Sequence, residues 1–154
     1  MRCDFRFFHW LRVRYSEVDW QGIVFNAHYL TYMDVALTEY FRNIGLDYKQ
    51  LAQEGKMDMA LVKTTLEFRS SAMFDDELEI GVRISQVGRT SYNVEFEIYK
   101  MGIEDMLFRG QTIYVNYDPV KRKSEPVPDF FRSLVQGFEI DGENLSLLRC
   151  MGVQ

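Results

Sequence analysis

The sequence predicts an α+β fold, an antiparallel five-stranded sheet wrapped around one long central helix. Three observations predict it. Between Tyr29 and Ile44 the apolar residues recur at steps of three and four, the period of one helix face. From Val62 onward the period changes to two over three segments, and turn residues set off a fourth, as in strands with one buried face. The links between those segments are too short for crossovers, so the strands run antiparallel. The 154 residues suit one domain, 1–154, with a core over about 5–128 and a C-terminal extension over 129–154.

In chain order, residues 5–15 read as a first strand, with Trp10, Arg12 and Arg14 alternating against Leu11, Val13 and Tyr15. Residues 16–25 read as a loop punctuated by Gly22. Asn26 is an N-cap candidate. The helix after it buries a stripe of Tyr29, Met33, Ala36, Leu37, Tyr40, Phe41 and Ile44, leaves Asp34, Thr38 and Arg42 opposite, and stops at Gly45. Residues 46–55 form a short helix or turn. Strands follow around residues 62–69, 77–85, 92–98 and 107–117, and Asp118-Pro119 ends the last. One sheet face packs on the helix; the other carries charges on the middle strands, with Tyr99 and Tyr114. Residues 130–138 suit a short helix. Beyond them no pattern is clear, although Leu145, Leu147 and Leu148 offer apolar contacts.

Composition excludes several function classes. Apolar residues at 47% argue against disorder, and aromatics at 15% are enough for a core or an acyl-sized pocket. A net charge of −5 disfavours a broad nucleic-acid surface. Cys3 and Cys150 are too few for a disulfide framework and lack metal-ligand spacing, so both read as free thiols. No segment is long enough for a membrane span, and MRCDFRFFHW has neither the apolar run nor the small-residue site of a signal peptide. A cytoplasmic protein is expected.

The chemistry concentrates in residues 15–40. Asp19 lies a short loop before a helix N-terminus. A carboxylate acts on a carbonyl as nucleophile or as the general base for water. Free N–H groups at a helix start stabilise the oxyanion that forms. Taken alone, an aspartate in a loop more often makes an Asx turn. Glu17 either raises the pKa of Asp19 by like-charge repulsion or is a solvated carboxylate at a strand end. His28 reads as a polar residue at the helix start ahead of a proton-transfer group. Asn26 matters for its backbone N–H. Arg89 in a tight turn, and Lys123 in the run Lys121-Arg122-Lys123, offer cations for phosphate. No phosphate loop, zinc motif or dinucleotide fingerprint occurs, so no cofactor is expected.

Tyr15-x-Glu17-x-Asp19-x-x-Gly22-Ile23-Val24, followed by Asn26-x-His28-Tyr29-Leu30, resembles the signature of hotdog-fold acyl-CoA thioesterases of the hydroxybenzoyl-CoA thioesterase-like family. Gly45-Leu46, the Phe74-Asp75-Asp76 turn and Val127-Pro128 extend the resemblance to about residues 11–128. It implies a hotdog fold and hydrolysis of an acyl-CoA to a free acid and CoA, with coenzyme A entering only as part of the substrate. It implies a homodimer or homotetramer with sites between subunits. It implies Asp19 as the catalytic carboxylate and Asn26 N–H as the group polarising the thioester carbonyl. Glu17, Gly22, Ile23, Val24 and His28 would surround them, with Arg89 and Lys123 near CoA phosphates. Two alternatives on the same fold are a hydratase or dehydratase and a non-catalytic acyl-CoA-binding protein. The former pairs an Asp with a His five residues on, where Val24 stands here; the latter has no need of Asp19. Trp20-Gln21 departs from the small residues or proline common there, and a bulky Trp20 is expected to line or narrow the pocket.

Overall fold

The computed structural model describes residues 2–141. The expectations for Leu145, Leu147, Leu148 and Cys150 lie outside them. The strands are β1 (Phe7–Arg12), β2 (Met59–Phe68), β3 (Glu77–Val87), β4 (Ser91–Lys100), β5 (Met106–Asp118) and the two-residue β6 (Lys123–Ser124). The helices are α1 (Ala27–Asn43), α2 (Tyr48–Gln53) and α3 (Asp129–Gln136), which runs into a π turn at Gly137–Asp141. The sheet order is β1-β3-β4-β5-β2, with β6 paired to β5 and every pair antiparallel. The first strand is shorter than the alternation suggested, because Tyr15–Glu17 closes into a 3-10 turn.

The inner face of the sheet wraps α1. Leu78, Ile80, Val82 and Ile84 of β3, Tyr92, Val94, Phe96 and Ile98 of β4, and Phe108 of β5 are all buried. The whole predicted helix stripe is buried with them, and Tyr32 joins it. Gly110 lets the helix approach β5: a Cβ there would meet Met33 Cε at 2.8 Å. Tyr114, expected on the outer face, belongs to the inner one. It pairs with Tyr92 across β4 and β5 and stacks on that buried ring at 5.7 Å, since partners in register share a face. Part of the charged outer face is covered as well. Phe5 is buried over Gly81, and Glu97 is buried with Tyr99 O–H donating to it at 2.5 Å.

The chain crosses from one side of the sheet to the other between β2 and β3. Since β2 is an edge strand and β3 lies beyond β5 and β4, the segment 69–76 must span about three strand spacings, roughly 14 Å. It does so across the N-terminus of α1. Ala72 N–H donates to Tyr29 Oη at 3.2 Å, Val24 N–H donates to Ala72 O at 2.9 Å, and Met73 bridges to Ile23. That crossing brings a second wall to the loop that carries Asp19.

Candidate active site

Asp19 sits at the start of a miniature hairpin. Val18 and Val24 form a β-bridge, Asp19 N–H donates to Ile23 O at 2.9 Å, and Gly22 N–H donates to Asp19 O at 2.9 Å. Gly22 holds φ +76°, a left-handed geometry that a residue with a Cβ adopts only under strain. Asp19 Oδ1 accepts Gln21 N–H at 2.7 Å. The Asx-type bond weighed against a catalytic role therefore exists. It occupies only one oxygen: Oδ2 takes no hydrogen bond among the described residues.

Eight residues on, α1 begins. Asn26 takes the position ahead of the helix but with φ −53° and ψ −32°, already helical, and its side chain makes no capping bond. An N-cap side chain folds back from an extended backbone, so the side-chain cap expected from sequence is absent. The backbone is the interesting part. His28 N–H donates to Phe25 O and Tyr29 N–H to Asn26 O. The N–H groups of Asn26 and Ala27 take no acceptor among the described residues. They also stand at the positive end of a 17-residue helix.

Asp19 and Asn26 line one cavity of about 350 Å³, together with Gln21, Ile23, Val24, Phe25 and Tyr29. The opposite wall is Phe68, Arg69, Ser70 and Ser71, where the crossing segment leaves β2. Of the lining residues, Tyr29 and Phe68 pack with the buried Phe108 in an aromatic cluster, with ring centroids 4.9–5.3 Å apart. Sequence reading missed this second wall. Its polar run, Arg69-Ser70-Ser71, looks like an ordinary turn, and only the crossing between non-adjacent strands brings it to Asp19.

The other expected site residues divide. Ile23 and Val24 reach the cavity. Gly22 shapes the turn without lining the cavity, and His28 rests edge-on against Phe25, its ring 6.3 Å away. Within one chain Trp20 does not line the cavity; at the tip of the hairpin its side chain is wholly exposed. Glu17 is neither solvated nor left as an unpaired repelling charge. It is 2% exposed and bonded to Arg14 and Tyr32. Burial alone would raise its pKa, but those donors favour the ionised form and hold it below the usual glutamate value. Arg89 and Lys123 lie at the far end of the sheet. Arg89 stands in the β3–β4 turn beside Val127, and Lys123 in β6. The register that pairs Phe68 with Phe108 pairs Ala60 with Val115, seven residues or roughly 23 Å away along β5. Within one chain neither cation joins the cavity.

A curled antiparallel sheet around a central helix is the hotdog fold, and here Asp19 and the helix-start Asn26 line one cavity. The family comparison agrees: residues 13–135 match the model of the thioesterase-like superfamily, and the chain belongs to that superfamily. It is 29% identical over 133 residues to the acyl-CoA thioester hydrolase YbgC of Escherichia coli, covering 86% of this chain and 96% of that one. Among solved structures it is similar to a thioesterase from Thermus thermophilus complexed with coenzyme A and zinc. The TM-score is 0.75 at 25% identity, over 88% of this chain and 96% of that one. A 1,4-dihydroxy-2-naphthoyl-CoA thioesterase from Synechocystis shares the fold with TM-score 0.80 at 21% identity, over 88% and 97% of the two chains. No helix among the described residues is long and apolar enough to cross a membrane.

Proposed function

We propose that this thioester hydrolase acts on an acyl-CoA, releasing a free acid and CoA. The observation that carries the reading is the shared cavity: Asp19 and Asn26 line the same space, and the Asn26 N–H takes no acceptor among the described residues. The YbgC relative and the coenzyme A complex of the Thermus enzyme support the choice of thioester. The thioester carbonyl oxygen is held by Asn26 N–H, and charge developing on it is stabilised by the helix dipole. Asp19 then acts in one of two ways. As general base it takes a proton from water while the water oxygen bonds to the acyl carbon. Collapse of the tetrahedral intermediate breaks the C–S bond, and the proton passes to the departing sulfur. As nucleophile its oxygen bonds to the acyl carbon and expels CoA thiolate, and water then cleaves the mixed anhydride.

Asp19→Asn tests the reading. The amide oxygen can still accept Gln21 N–H, so the hairpin holds, but neither basicity nor nucleophilicity survives. Turnover is expected to fall by about 10²-fold or more with the melting temperature little changed. Single turnover in ¹⁸O-labelled water tests the nucleophilic route: label found in Asp19 marks an anhydride that water has opened at the aspartyl carbonyl.

A second copy of the chain completes the site in this reading. β2 is a ten-residue edge strand with Leu61, Val62 and Phe68 exposed, a surface that invites strand pairing. Antiparallel pairing of β2 with its copy sets the far end of one sheet beside the Asp19 end of the other. Arg89 and Lys123 of the second chain then approach the first chain's cavity, where CoA phosphates need cations.

A further inference from the structure

Glu17 is the most heavily bonded side chain near the cavity, and the mechanism above does not use it. Oε2 accepts Arg14 N–H at 2.8 Å and Tyr32 O–H at 2.8 Å. Oε1 accepts Arg14 Nε at 2.8 Å and Nη2 at 2.5 Å. Its peptide group is equally engaged: the N–H donates to Arg14 O at 3.0 Å, and the carbonyl accepts Phe25 N–H at 2.9 Å. One residue therefore ties together three segments. Arg14 is the chain arriving from β1, Phe25 immediately precedes Asn26, and Tyr32 belongs to the second turn of α1.

The arrangement is costly for a mere filler. A buried carboxylate is tolerated only when fully paired, and an apolar side chain would fill the space without that demand. What the carboxylate adds is direction, because four donors from two residues must converge on two fixed oxygens. Asp19 lies two residues after Glu17, and Asn26 directly follows the residue that Glu17's carbonyl holds. We propose that Glu17 is a positioning residue, setting the distance and orientation between the Asp19 carboxylate and the Asn26 N–H through Arg14 and Tyr32. The proposal rests on the catalytic reading of Asp19 and Asn26 above. It differs from both roles expected from sequence, since the side chain is buried, its charge is paired with Arg14, and it does not line the cavity.

Glu17→Gln keeps size and shape but has one acceptor oxygen where there were two, so one group of donors faces an NH₂. Misplacing a reacting group by a fraction of an ångström lowers kcat while substrate binding persists. The expected result for acyl-CoA hydrolysis is a 10- to 100-fold fall in kcat, with KM changed less than threefold. Tyr32→Phe, a milder change that leaves Arg14 in place, is expected to lose about 3- to 10-fold in kcat. The two losses should combine to less than their product, because both act through one network. Rates are taken per folded molecule, from circular dichroism at the assay temperature, beside Asp19→Asn. Wild-type kcat per folded molecule in Glu17→Gln and Tyr32→Phe, with Asp19→Asn inactive, overturns the positioning role and spares the catalytic reading. Wild-type turnover in Asp19→Asn overturns both.

Discussion

The carboxylates at positions 17 and 19 are two residues apart and do opposite things. Glu17 has every oxygen engaged and sits out of water, whereas Asp19 keeps Oδ2 unbonded beside a cavity. The sign of the Glu17 shift makes a stability prediction. Its folded pKa lies below the ordinary value, so its contribution is complete above the ordinary glutamate range and is lost as pH falls through the lowered value. The wild type should out-melt Glu17→Gln by the most near neutrality. The gap should narrow below about pH 4, near the ordinary range; melting curves across pH 3–7 check it, and a constant gap contradicts it. The sequence made Asp19 legible through its spacing to the helix and the motif around it. It could not show how Glu17 is bonded, since an acid within Tyr-Ser-Glu-Val-Asp reads equally as solvated or as a like charge beside Asp19. Tyr32 lies fifteen residues further on and reaches Glu17 only once α1 has packed.

At the scale of elements, α1 and the four longer strands were readable from the helical stripe, the alternation within β2, β3 and β4, and the turn residues that bracket β5. The order of the strands was not readable from periodicity. Alternation fixes which face is buried but not which strand lies beside which, and here β2 pairs with β5 and β1 with β3. The end of α3 shows the same limit. Glu139, in a stretch without a clear pattern, accepts Tyr40 O–H at 2.7 Å and Ile84 N–H at 2.9 Å. β1 pairs with β3 only as far as Val82, so Glu139 takes over an edge donor that β1 leaves uncovered. Burial raises its pKa above the usual range. For a raised group, the stability is complete below the unfolded pKa and is lost as pH rises through the folded value. Glu139→Gln keeps an acceptor for both donors and buries no charge. It should melt at or above the wild type at pH 8 and no differently at pH 4. Glu139→Ala strands the donors and should cost about 1–3 kcal/mol. A Gln variant that melts as low as Ala at pH 8 would contradict this account of the edge.

For the whole molecule, one chain supplies Asp19, Asn26 and the Phe68–Ser71 wall, but its own Arg89 and Lys123 stand at the wrong end of the sheet. The proposed sharing of the site between two copies makes a complementation prediction. Asp19→Asn mixed with the Arg89→Ala/Lys123→Ala double variant yields heterodimers with one doubly defective site and one intact site. Random exchange should restore about a quarter of wild-type activity at low substrate, whereas sites built within single chains give only the average of the two parents. The most direct test of the central claim is CoA release from short, medium, long and aromatic acyl-CoAs, measured for wild type and Asp19→Asn side by side. The wild type is expected to turn over at least one of these, at a rate about 10²-fold or more above that of an equally stable Asp19→Asn. Equal rates for the two proteins, or no CoA released by the wild type from any of them, would contradict the claim.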